Sequence, residues 1–166
     1  SSYASLAVSY QFNGTGNWSI DGWGTGNPAN GVSASVPTGS TVVKAFLYSS
    51  TWDASTPTVV FDGTTISGAS WTAGGITGGS LQAYRADVTA QVAAKIGSGS
   101  GSLFNFTLNE GSGSSAIDGE VLAVVYSNPT EQNRTIAFLD GFSATTGDST
   151  ALNLAKGEVT DLEGEQ

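Results

Sequence analysis

Apolar and polar positions alternate along most of this chain with the two-residue period of β-strands. From Tyr3 to Phe12 the residues Ala4, Leu6, Val8, Tyr10 and Phe12 share one face, and Tyr3, Ser5, Ala7, Ser9 and Gln11 the other. Thr41 to Ser49 is a β-branched and aromatic strand. Thr58–Phe61, then Asp62-Gly63, then Thr64–Ser67 reads as a hairpin, because Asp-Gly suits a type I′ turn. Trp71, Leu81 to Tyr84 and Leu103 to Leu108 follow as shorter strands. Val121 to Tyr126 is almost continuously apolar, which predicts a strand at the centre of a sheet. Thr135 to Leu139 is expected to pair with it through the loop Ser127–Thr130.

One segment departs from this period. Ala86 to Ile96 predicts a short helix, with Asp87 as its cap, Val88, Val92 and Ile96 spaced by four, and Gly97 as its stop. About ten strands joined by Gly-rich turns predict an all-β fold, a two-sheet β-sandwich or jelly roll. Residues 1–153 are read as one domain and 154–166 as a C-terminal arm or edge strand. Gly97 to Ser102 lies between patterned strands and is a surface loop.

Composition narrows the chemistry. The 166 residues suffice for a core that buries about two-thirds of the unfolded surface without staples. Cysteine, histidine and methionine are absent, which removes disulfides, thiolate metal sites and the imidazole of common nucleophile pairs. Five Lys and Arg stand against 14 Asp and Glu, a net charge of −9. That surface repels nucleic acid and anionic lipid and suits hard cations, calcium above all. Sixteen aromatic residues (four Trp, five Tyr and seven Phe) argue against disorder despite 23 glycines. No apolar run reaches membrane-spanning length, and Ser1–Ser5 reads like the start of a mature chain after signal-peptide removal, so a secreted protein is expected.

Three segments carry a family likeness: Arg85 to Val92 (RADVTAQV), Asp118 to Tyr126 (DGEVLAVVY) and Arg134 to Gly141 (RTIAFLDG), with Val42 to Tyr48 upstream. Over residues 40–142 the chain resembles the exported β-sandwich modules of bacterial and archaeal surface, matrix and adhesin proteins. The resemblance implies an extracellular, non-enzymatic module. Some modules of that kind bind peptides or sugars with calcium.

Several groups of residues are candidates for function, each with a structural alternative. Asp118 and Glu120, at i and i+2, are expected on one face of a strand start, and Asp140 joins them if the 121–126 and 135–139 strands pair. These three are the candidate calcium ligands; the alternative is turn chemistry at Asp-Gly pairs. Trp18, Asp21 and Trp23 lie in a Gly-rich stretch and suit a sugar or peptide site, or else the two indoles plug the core. Trp52 and Trp71 are expected in the core. Lys44 inside an apolar strand is a candidate for an isopeptide crosslink to Asn105 or Asn109, or an edge-strand lysine that blocks pairing. Four sequons, at Asn13, Asn17, Asn105 and Asn133, permit glycosylation. No strand of the pattern sets an acid among apolar neighbours, so a paired-carboxylate hydrolase is not expected.

Two functions follow from this reading. One is a subunit that assembles into a surface fibre or matrix by β-strand addition, with Leu6, Val8, Tyr10 and Phe12 as its assembly face. The other is a monomeric, calcium-dependent adhesin that holds a peptide or glycan.

Overall fold

A computed structural model describes residues 6–25, 31–53, 55–76, 81–111 and 116–140. The predicted start of the mature chain and the 154–166 arm lie outside them. Among the described residues ten strands run in the order β1 (Ala7–Gly24), β2 (Gly31–Ser35), β3 (Thr41–Thr51), β4 (Val59–Phe61), β5 (Thr64–Ile66), β6 (Trp71–Ile76), β7 (Gln82–Asp87), β8 (Leu103–Asn109), β9 (Ile117–Ser127) and β10 (Asn133–Asp140). A helix, α1 (Thr89–Ser98), joins β7 to β8. The fold is all-β with two antiparallel sheets, ordered β10-β1-β9-β3-β7-β6 and β2-β8-β4-β5.

The main core lies between the sheets. Ala45, Leu47, Tyr84, Ala86, Leu122 and Val124 face Val32, Ala34, Val59, Phe61, Phe104 and Phe106. Phe61 and Phe106 stack with centroids 5.2 Å apart and planes 8° from parallel. Val88 and Val92 plug the same core from the helix. β9 is buried on both faces from Leu122 to Tyr126 and lies between β1 and β3, as its apolar run predicts.

A second cluster occupies the opposite face of the larger sheet: Phe46, Ala123, Val125, Ile136 and Phe138, with Tyr10 and Phe12 packed on them. Its geometry reveals how the sheet is shaped. Only the second half of β1 pairs with β9 (Gly16–Gly24), while the first half (Ala7–Thr15) pairs with β10. β10 stands three places from β3 in the strand order, which in a flat sheet is about 14 Å. Yet the Phe138 and Phe46 rings are 6.0 Å apart. The β1–β10 ribbon is therefore folded back across the sheet as a third layer. The crossing point is Gly16, where a Cβ would come within 2.3 Å of the Tyr126 carbonyl oxygen, so only glycine lets the strand pass.

Four sequence expectations need correction. β10 does not pair with β9; it pairs with the first half of β1. The helix begins at Thr89 and ends at Ser98, because Arg85–Asp87 continue β7 and Gly97 is tolerated in the last turn. Asp87 still accepts the Thr89 N–H at 3.0 Å, although Val88 holds the capping position. Of the expected Tyr3–Phe12 strand, residues 3–5 lie outside the described residues, and Ala7–Phe12 are the start of an 18-residue strand that continues through the Gly-rich stretch. Trp71 is buried, but Trp52 is half exposed, with its indole N–H donating to Asp118. The Asp62-Gly63 turn is as expected, with φ values of 47° and 87°.

Candidate functional site

The assembly face is split by its own strand. The pairing register passes from Val8–Leu139 to Tyr10–Phe138 and skips Ser9, whose hydroxyl donates to the Phe138 carbonyl and to Asp140. Such a bulge reverses the alternation. Tyr10 and Phe12 point down into the aromatic cluster, whereas Val8 is exposed on the other side of the ribbon. Leu6 is half-buried at the end of the arm.

Beside the ribbon runs an apolar groove lined by Trp18, Ile20, Thr135, Ile136, Ala137 and Phe138. Trp18 and Ile20 are 47% and 57% exposed on the outer face, each opposite an apolar residue of β9. β10 ends the strand order, so its far edge has no backbone partner among the described residues.

The proposed sugar constellation does not converge. Asp21 and Trp23 oppose Leu122 and Glu120 on the inner face, while Trp18 opposes Val125 on the outer one. The Asp21 carboxylate is taken up by the backbone N–H and hydroxyl of Ser33, at 2.7 and 3.1 Å. Trp23 packs on the main core.

The three candidate calcium ligands are separated as well. The β3–β9 register skips Asp118 between the Ser50–Gly119 and Thr51–Ile117 pairs. That bulge turns Asp118 to solvent and Glu120 to the interior, where it is 2% exposed. Asp140 lies across the sheet in the third layer, where it accepts from Arg85 at 2.6 Å and from Tyr48 and Ser9 at 3.0 Å. Burial and the Asp140 charge push the Tyr48 phenol far up. Lys44 forms a 2.7 Å ion pair with Asp87 and lies over the Tyr10 and Phe46 rings. Asn105 and Asn109 lie on β8 in the other sheet, whereas Lys44 sits on the outer face of the larger one with Tyr10 and Phe46, so the fold does not bring the expected crosslinking partners to Lys44.

Glu120 is the acid among apolar neighbours that the pattern was not expected to contain. Burial, and then the adjacent Glu110 carboxyl, push its pKa from 4.5 up to about 9. Glu110 was missed in the sequence reading, although a signal existed. Phe104, Phe106 and Leu108 point inward at every second position, and residue 110 continues that phase. Glu120 likewise opens the inward series Leu122, Val124, Tyr126.

Comparison of the chain with protein-family models, with curated proteins and with solved structures finds no significant match.

Proposed function

We propose that this chain is a secreted, non-enzymatic structural subunit that assembles into a surface fibre or matrix by β-strand exchange. The observation that carries this reading is the two-stranded ribbon over the Phe46 cluster. One of its strands, the arm Ala7–Thr15, pairs along its length with β10, takes one further backbone bond from the Asn128 N–H to the Thr15 carbonyl, and joins the body through the glycine crossing at Gly16. An arm of this kind can leave its own β10 and fill the same edge on a neighbour. Each bond is remade in the new location, so the exchange costs little beyond the entropy of association.

In this account Tyr10 and Phe12 are the anchors that seat the arm in an acceptor, and Val8 lies on the outer surface of the joint. The edge of β10 that ends the strand order of the described residues, beside Trp18 and Ile20, supplies a second contact along the fibre. An adhesin reading draws less support, since the fold separates both of its residue sets.

Sedimentation velocity in a chelating buffer tests the proposal. Large species that persist without divalent cations are expected. A lone species of 16.7 kDa at all concentrations would contradict it.

A further inference from the structure

The acid pair Glu110 and Glu120 has no basic partner among the described residues. Glu120 Oε1 accepts one long bond, 3.4 Å from the Ser49 hydroxyl, and Oε2 meets no donor among the described residues. Trp23 stands opposite Glu120 and lines a pocket with Glu110, so the two acids are neighbours, close enough that Glu110 pushes the Glu120 pKa up. The Glu110 carboxyl is itself held by the Thr25 hydroxyl at 2.8 Å. Two carboxylates this close, one of them buried, repel unless a positive charge or a proton lies between them.

The basic groups among the described residues are committed elsewhere. Lys44, Arg85, Lys95 and Arg134, the basic residues described, pair with Asp87, Asp140, Asp62 and Glu131. We propose that Glu110 and Glu120 bind a divalent, oxygen-seeking cation of the calcium type that ties the two sheets together.

The donor set suits such an ion. Glu120 comes from β9 in the larger sheet and Glu110 from the end of β8 in the smaller one. The Ser49 hydroxyl adds a neutral oxygen from β3. A cleft of about 270 Å³, lined by Thr51, Asp53, Ser55 and Glu110 among others, opens beside Glu110 and leaves room for the water ligands that calcium retains. With only hard oxygens and no nitrogen or sulfur donor among these side chains, zinc and copper are disfavoured. No group of three or more acids gathers among the described residues, so the affinity expected is that of a two-carboxylate extracellular site, with Kd on the order of 10⁻⁴–10⁻³ M.

Terbium luminescence provides the test, because Trp23 stands directly opposite Glu120 and lines a pocket with Glu110. Tryptophan excitation of the intact chain with Tb³⁺ at neutral pH is expected to give sensitised emission that Ca²⁺ competes away. Ca²⁺ is also expected to raise the melting temperature. Glu120→Gln and Glu110→Gln should each weaken Ca²⁺ binding at least tenfold while circular dichroism stays unchanged. Asp118→Asn, at an exposed acid two residues away, should bind as the wild type does. Emission and melting that ignore Ca²⁺ in the wild type would overturn the site and leave a shared proton as the link between the carboxyls. Loss of binding in Asp118→Asn but not in Glu110→Gln would overturn it too. Neither outcome bears on strand exchange, which needs no cation.

Discussion

Arg85 on β7 and Asp140 on β10 form a 2.6 Å ion pair although four steps of strand order separate them. In a flat sheet that separation is about 19 Å. Their contact is the clasp that holds the third layer down: Asp140 also takes the Tyr48 and Ser9 hydroxyls, and the Arg85 guanidinium lies 4.8 Å over the Phe46 ring. Replacing Asp140 with Ala strands a half-buried guanidinium and a phenol together. The expected cost is about 2–3 kcal/mol in urea unfolding. Limited proteolysis within residues 7–15 should accelerate as well. A loss confined to global stability, with the arm no more accessible, would show that the clasp does not hold the ribbon.

Phe46 is the centre of the layer beneath. Its ring meets Tyr10, Tyr48 and Phe138 at 5.8–6.3 Å, and it is 4% exposed. Phe46→Ala is expected to destabilise the chain by about 3–5 kcal/mol, as removal of a buried aromatic side chain does. Thermal or urea unfolding checks this, and a change below about 1 kcal/mol would mean the outer cluster is not a packed core.

Two glycines should respond in opposite directions. A Cβ at Gly16 meets backbone, so Gly16→Ala displaces the crossing of β1 over β9 and lowers stability well beyond an ordinary surface change. Gly97 sits inside α1 with open space where a Cβ would go. There Gly97→Ala should stabilise by about 0.5–1 kcal/mol through the reduced entropy of the unfolded chain. Paired urea melts of the two variants decide the matter.

The buried carboxyl makes stability depend on pH. The folded chain keeps a proton on Glu120 up to about pH 9, whereas the unfolded chain releases it near the ordinary value of 4.5. Between these values the folded state binds more protons, so stability falls as pH rises across that window. In chelator, the urea midpoint should decline from pH 5 to pH 9. Glu120→Gln should flatten that decline, since it removes the titrating group and keeps a side chain of the same shape. A midpoint equally steep in the variant would place the titration elsewhere.

How far the sequence carried the fold follows from the kind of signal each element leaves. Strands with unbroken alternation, such as Leu103–Asn109, and the doubly buried run of β9 were readable because burial is written directly into residue type. The Asp62 turn was readable from its two residues alone. What escaped was set by single-residue events. One extra residue at Ser9 and another at Asp118 each flip a face, and they dispersed both the assembly face and the calcium set. The fold-back of β1 with β10 is a tertiary packing choice, so no local pattern marks it. Glu110 and Glu120 were legible in principle, because both continue an inward phase, but each sits at a strand end where polarity suggests a loop.

The most direct test of strand exchange uses the absence of cysteine from the chain. Asn13 and Thr135 are register partners, with the threonine hydroxyl donating to the Asn13 side chain at 2.9 Å. Asn13→Cys combined with Thr135→Cys places two thiols where a cross-strand disulfide can close and fix the arm to its own β10. Sedimentation velocity of this double variant, formed as an oxidised monomer and then compared with and without reductant, gives the answer. The account predicts a monomer that cannot assemble while oxidised and forms large species once reduced. Assembly that proceeds equally in the oxidised form would contradict exchange of the arm.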